Sequence, residues 1–413
     1  MQALLFSLLL VKAIAATPLQ DRAPSGGYPA SNTRGPVPKN EWVATYNAAK
    51  AAGKIPAFAP AFLNGAGVPQ YAADVETGEN GVCSWTMAHC FGDNDVYEAP
   101  DGMYGISFDD GPLPASPTLY NFLQQNNQTA THFFIGSNVM NSHDVFQQAV
   151  QSGGHIGVHT WSHPYMTTLT DMEILGELGW TAQIIYDWSG FAPKWWRPPY
   201  GDTDDRVRAI ATEVFGLTLA GWDVDSFDWC LSEGGGSSCV GQGPASQQDL
   251  EGEVRGWQAG SKSPGVLGLE HELTSHSVAG FINTFPGIKQ HGWDAHCIPD
   301  LFGHDWYLNA PRNGAADPSV QIGVGSYAAT APSSNSTSSS ASSSTSTSTT
   351  SSASSAPSGF SSVSTSKTAT IQSQQAPSAS TTAHSSGGSG INAFTPVLSG
   401  TVHLLTAILV LLS

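Results

Sequence analysis

The middle of the chain alternates short apolar runs with longer stretches of helical spacing. Tyr104–Phe108, Ala130–Ile135, His155–Val158, Lys194–Arg197, Leu217–Trp222 and Pro264–Leu269 predict short buried strands. Between them, residues 116–125, 142–152, 171–189, 203–215, 247–257 and 276–290 predict helices. Strand followed by helix, six times over, predicts parallel βα units. No G-x-G-x-x-G follows the first strand, so a barrel is expected rather than a dinucleotide-binding sheet. In such a barrel the chemistry sits at the C-terminal ends of the strands.

Polar residues collect at those ends. The first strand runs into Asp109 and Asp110 (ISFDDGP), the third into His159 and His163 (HIGVHTWSHP) and the fourth into Arg197 to Gly201 (WWRPPYG). The fifth leads to Asp225 and Asp228 (DVDSFDW) and the sixth to His271 (LGLEHE). A carboxylate pair in a turn is ordinary by itself. Five clusters in the same place on successive units are not. Imidazole and carboxylate ligands suit Zn2+ and its first-row neighbours, and a catalytic site keeps one position open beside three protein ligands. Pro164 and the preceding strand put His159 and His163 on a loop or first helical turn, where both can converge. His155 lies inside its strand and is read as structural.

In order, ISFDDGP, HTWSH, RPPYG, DSFDW and LEH resemble the five motifs of the polysaccharide deacetylases of the NodB-homology type, carbohydrate esterase family 4, over roughly Met103 to Leu308. The resemblance implies an α/β fold, a distorted (β/α) barrel. It implies hydrolysis of the N-acetyl groups of chitin or chito-oligosaccharides with a divalent metal, Zn2+ or Co2+, giving chitosan and acetate. Asp110, His159 and His163 would hold the metal, which would lower the pKa of its water. Asp109 would be the general base and Arg197 would orient it. A backbone N–H near Tyr200 would stabilise the oxyanion. The departing amine needs a proton, for which His271 is the acid, with Asp228 raising its pKa and Asp225 as the alternative partner. Trp161 and Trp229, inside the motifs, are expected to wall the sugar groove, whereas Trp195, Trp196 and Trp222 are read as core. An O-acetyl esterase acting on wall glycans and a non-catalytic wall adhesin are the alternative readings of the same scaffold.

The ends and the charge change what surrounds this core. Residues 1–16 carry an apolar run and then Ala13, Ala15 and Ala16, as in a cleaved secretion signal. Residues 17–80 are rich in Pro, Ala and Gly and read as an extended lead-in or accessory segment before a catalytic domain at 81–315. Residues 331–386 hold 35 Ser or Thr in 56, so 328–386 reads as a disordered stalk. The small residues Ser386, Gly387, Gly388, Ser389 and Gly390, then a spacer and an apolar tail, read as a GPI-anchor signal over 387–413. The expected location is the outer face of the plasma membrane and the cell wall. Residues 17–330 contain 13 basic and 33 acidic residues, a charge of −20, which excludes a nucleic-acid partner. In a secreted chain the five cysteines predict disulfides with one thiol left over: Cys230 with Cys239, and Cys297 with Cys83 or Cys90. Asn127 and Asn335 are N-glycosylation acceptors.

Overall fold

The computed structural model describes residues 27–324 apart from 79 and 240–242. The expected leader at 1–16, the stalk at 328–386 with Asn335, and the anchor signal with its candidate attachment residues lie outside the described residues.

Strands β1 (Phe62–Leu63) and β2 (Pro69–Gln70) form a small antiparallel ribbon. The main sheet contains β3 (Met103–Gly105), β4 (Ser107–Asp109), β5 (Thr131–Phe134), β6 (His155–Val158), β7 (Trp195–Trp196), β8 (Thr218–Leu219), β9 (Val224–Asp225), β10 (Val266–His271) and β11 (Asp294–His296). All of its pairings are parallel, in the order β11-β3-β10-β4-β5-β6-β7-β8, and β9 also pairs with β10. The parallel strands expected of a barrel are present, but the ladder stops between β8 and β9. Residues 96–99 bridge that seam: Val96 N–H donates to Leu219, Gly221 N–H donates to Val96, and Gly265 N–H donates to Ala99.

The helices are α1 (Asn40–Ala51), α2 (Trp85–Ala88), α3 (Ser116–Gln125), α4 (Gly136–Asn141), α5 (His143–Ser152), α6 (Asp171–Ser189), α7 (Asp205–Phe215), α8 (Gln247–Ala259), α9 (Ser275–Gln290) and α10 (Ile298–Leu301). Their limits follow local chemistry. A capping box of Thr170 and Glu173 starts α6 and a left-handed Gly190 ends it. Asp204, Ser246 and Thr274 cap α7, α8 and α9 through side-chain oxygens. Among the described residues no helix is long and apolar enough to cross a membrane.

Strand alternation sends side chains to two cores. Phe108, Ile156, Val158 and Trp196 join the helix-facing cluster. Phe133, Trp195, Ala220 and Leu267 meet Ile298 and Leu301 of α10 in a second cluster. Asp109 pairs in register with Phe133 and with His271, so all three lie on the same face of the sheet.

The lead-in differs from its expectation. Within 17–80, α1 is a regular helix whose Trp42, Tyr46 and Ala49 enter the main core. Trp42 packs edge-on against Trp180 and Phe215, and its Nε1 donates to the Ile322 carbonyl. The folded unit therefore begins before residue 81 and continues beyond 315.

Candidate active site

Asp109 ends β4 and is almost fully buried. Arg197, buried just after β7, donates to its Oδ1 at 2.7 Å. The rest of the guanidinium donates to Ser107 Oγ and to the carbonyls of Ala220 and Gly221, leaving it one orientation. A buried cation without these acceptors would cost several kcal/mol, on the order of 3–5.

Asp110 turns the other way because its φ is +70°, a left-handed conformation rare outside glycine. Its Oδ1 lies 3.3 Å from His159 Nε2 and 3.2 Å from His163 Nε2. That oxygen is buried and has no well-directed hydrogen-bond donor. His159 Nδ1 is committed to the Arg197 carbonyl at 2.8 Å, which directs the Nε2 lone pair to the site. One oxygen and two imidazole nitrogens within 4.8 Å of one another, with an orphaned carboxylate oxygen among them, fit a divalent cation. Burial alone would raise the Asp110 carboxyl, but the imidazoles of His163 and His159, with His271 beyond, hold it well below the usual range.

His271 ends β10 opposite the metal set. Its Nδ1 meets Asp228 Oδ1 at 2.6 Å and its backbone N–H donates to Asp228 Oδ2 at 2.8 Å. Burial opposes charge on this imidazole, but Asp228, with Asp110 and Asp109 further off, outweighs it and raises the pKa to about 10. Asp225, the alternative partner, instead accepts the Phe227 N–H and closes that turn.

Backbone strain concentrates here. Asp110, Thr160, His163, Tyr200 and Phe227 all have positive φ, each costing on the order of 1–3 kcal/mol. Two carboxylates missed in the sequence hold these turns. Glu177, in the middle of α6, accepts the N–H groups of Gly35, Trp161 and Ser162 and the Ser162 hydroxyl, fixing the loop between the two histidines. Asp202 accepts from Thr86 and, twice over, from Thr167, tying the turn after Tyr200 to the segment after His163. An acidic residue interrupting the apolar face of α6 was the only signal for Glu177.

The remaining expectations divide. Tyr200 lies on the site rim, 39% exposed, with its ring 4.7 Å from that of His163. Trp229 is half-buried beside Phe227 and stays available to a groove. Trp161 is not a groove wall: it is fully buried, its Nε1 donates to the Ala30 carbonyl, and its ring packs where a Cβ on Gly136 would sit. Cys230 and Cys239 are bonded as expected. Cys297 pairs with neither Cys83 nor Cys90; these two bond to each other, and Cys297 is a buried free thiol in a hydrophobic cluster with Trp306 and Tyr307. Asn127 is exposed on the turn after α3, a position open to a glycan.

Residues 97–219 match the polysaccharide deacetylase family model. The chain is 41% identical over 269 residues to chitin deacetylase 3 of Cryptococcus neoformans var. neoformans, covering 64% of this chain and 63% of that protein. It therefore spans less than two thirds of that relative's length. It is 32% identical over 274 residues to chitin deacetylase 2 of Saccharomyces cerevisiae, covering 64% of this chain and 82% of that protein. A solved chitin deacetylase from Colletotrichum lindemuthianum aligns over 50% of this chain and 90% of its own, at 20% identity and a TM-score of 0.44. With the yeast relative matched over four fifths of its length, the chain belongs to the polysaccharide deacetylase family.

Proposed function

We propose that the protein hydrolyses the N-acetyl groups of chitin, giving chitosan and acetate. The observation that carries this reading is the division of labour between adjacent carboxylates: Asp109 is held by Arg197, and Asp110 faces His159 and His163. The names of the fungal relatives support chitin as the substrate.

A divalent cation, Zn2+ or Co2+, held by Asp110, His159 and His163 would polarise the acetyl carbonyl and lower the pKa of water. Asp109 accepts the proton of the attacking water, and Arg197 keeps its carboxylate aimed. The Tyr200 backbone N–H is the candidate donor to the oxyanion as negative charge develops. His271, protonated at neutral pH, gives its proton to the sugar nitrogen as the C–N bond breaks. Acetate leaves with the water oxygen, and the sugar keeps a free amine. Trp229 and Tyr200 border the sugar. The same reading places the protein at the outer face of the plasma membrane on a GPI anchor, acting on the cell wall.

The test is mass spectrometry of chitohexaose incubated with the cation-loaded protein and with the protein in chelator. Stepwise loss of acetyl groups in the first and not the second is expected. An unchanged hexamer with the loaded protein would defeat the reading.

A further inference from the structure

Residues 28–36 lie outside the five motifs, yet they form a strap over the loop that carries His163. Tyr28 stacks on Trp161 with ring centroids 6.3 Å apart, and its hydroxyl donates to Asp187 at 2.8 Å. Trp161 Nε1 donates to the Ala30 carbonyl, and Arg34 donates to Thr168 Oγ1. The strap then crosses α6 at close range. A Cβ on Gly176 would come within 1.7 Å of the Pro36 carbonyl oxygen, and one on Gly35, whose φ is +58°, within 2.4 Å of Glu173 Cγ. Glycine at both positions lets the strap backbone lie against the helix.

Strap and loop share one buried acceptor. Glu177 Oε2 accepts the N–H groups of Trp161 and Ser162 at 2.7 and 2.8 Å, while Oε1 accepts the Ser162 hydroxyl at 2.6 Å and the Gly35 N–H at 2.8 Å. The Glu177 side chain is fully buried, so withdrawing the strap leaves a buried anion short of one charge-assisted hydrogen bond. The loop it steadies has positive φ at Thr160 and His163, conformations that persist only where their surroundings over-determine them. Loosening the strap therefore loosens the placement of His163, whose Nε2 faces Asp110 Oδ1 at 3.2 Å.

We infer that the strap is a positioning element for the cation site, acting through Glu177, and that docking of the strap and binding of the cation are thermodynamically coupled. The inference rests on the proposed function for the cation held by Asp110, His159 and His163. Coupling of this kind is reciprocal: the factor by which an undocked strap weakens cation binding equals the factor by which the cation suppresses undocking. Loss of one hydrogen bond to a buried charged acceptor sets that factor at about ten.

Two measurements on the full chain read the factor from opposite sides. Titration calorimetry with Zn2+ is expected to give a Kd about tenfold higher for Tyr28→Ala/Gly35→Ala than for the parent. Hydrogen exchange with and without saturating Zn2+ is expected to show the amides of residues 28–36 exchanging about tenfold more slowly when the cation is bound. Leu123→Ala, on the buried face of α3 where that helix packs against α5 and α9, controls for general destabilisation and should leave the Zn2+ Kd unchanged. Equal Zn2+ affinity in the strap variant and the parent, or exchange of residues 28–36 that ignores the cation, overturns the coupling. So does a Leu123→Ala protein weakened as much as the strap variant. In each of these cases a parent that binds Zn2+ and releases acetate keeps the deacetylase reading, whereas a parent that binds no Zn2+ defeats both.

Discussion

Replacing Asp228 by Asn isolates the electrostatics of the acid. Asn keeps the shape of the side chain, and an amide oxygen in place of Oδ2 can still accept the His271 N–H that now lies at 2.8 Å. What is lost is the charge beside Nδ1, at 2.6 Å in the native protein. Taking about 4 Å between charge centres and an effective dielectric near 20, the pair is worth about 4 kcal/mol. That corresponds to about three pH units. Burial, which opposes charge on this imidazole, remains. The His271 pKa is then expected to fall from about 10 to roughly 7 or lower. The assay is kcat against pH with chitohexaose, since kcat reports groups in the bound complex. The native enzyme is expected to hold its rate until pH approaches 10, and the variant to lose it through about neutral pH. A variant slowed at all pH values with an unmoved alkaline limb would refute the assignment of His271 as a protonated acid tuned by Asp228. The same raised pKa has a stability consequence of fixed sign. His271 contributes fully below its unfolded value near 6.5, and the contribution fades as pH rises through about 10.

Two other perturbations test neighbouring parts of the structure. Asp109→Asn should reduce acetate release by about 10²-fold or more and also leave the Arg197 charge buried and unpaired. The second effect should destabilise the fold by about 3–5 kcal/mol in chemical denaturation; near-native activity would remove Asp109 from the mechanism. Trp42→Ala should cost about 3–5 kcal/mol by opening a cavity between Trp180 and Phe215, and a loss below about 1 kcal/mol would show that the lead-in is not part of the core.

The elements that were legible in the sequence carry their own signals. Helices α3 and α6 have the expected limits, 116–125 and 171–189, because Pro117 lies in the first turn of one and a capping box and Gly190 bound the other. The site was legible because its residues gather at strand ends: Asp109 and His271 end β4 and β10, Asp110, His159 and Arg197 come next after their strands, and His163, Tyr200 and Asp228 lie a few residues further on. What failed depended on contacts distant in sequence. Helix α1 has only Trp42, Tyr46 and Ala49 on its buried face among small and polar residues, too weak a pattern to separate from an extended segment. Strand β11 reads Asp-Ala-His and is a strand only because β3 offers it a parallel edge. Trp161 sits inside a motif, and nothing local shows that residues 28–30 come back to cover it. The Cys83–Cys90 pairing is the local exception: the short turn around α2 brings the two ends together, and cysteine spacing alone did not show it.

Arg197 serves the two halves of the site with different parts of itself. Its guanidinium holds Asp109, while its carbonyl fixes the tautomer of His159. A side chain can be exchanged by mutation, but every residue has a carbonyl. Orientation of the base is thus exposed to sequence drift, whereas orientation of the metal-facing histidine is written into the main chain. Replacing the Arg197 side chain would therefore release the base while leaving His159 held by the same carbonyl.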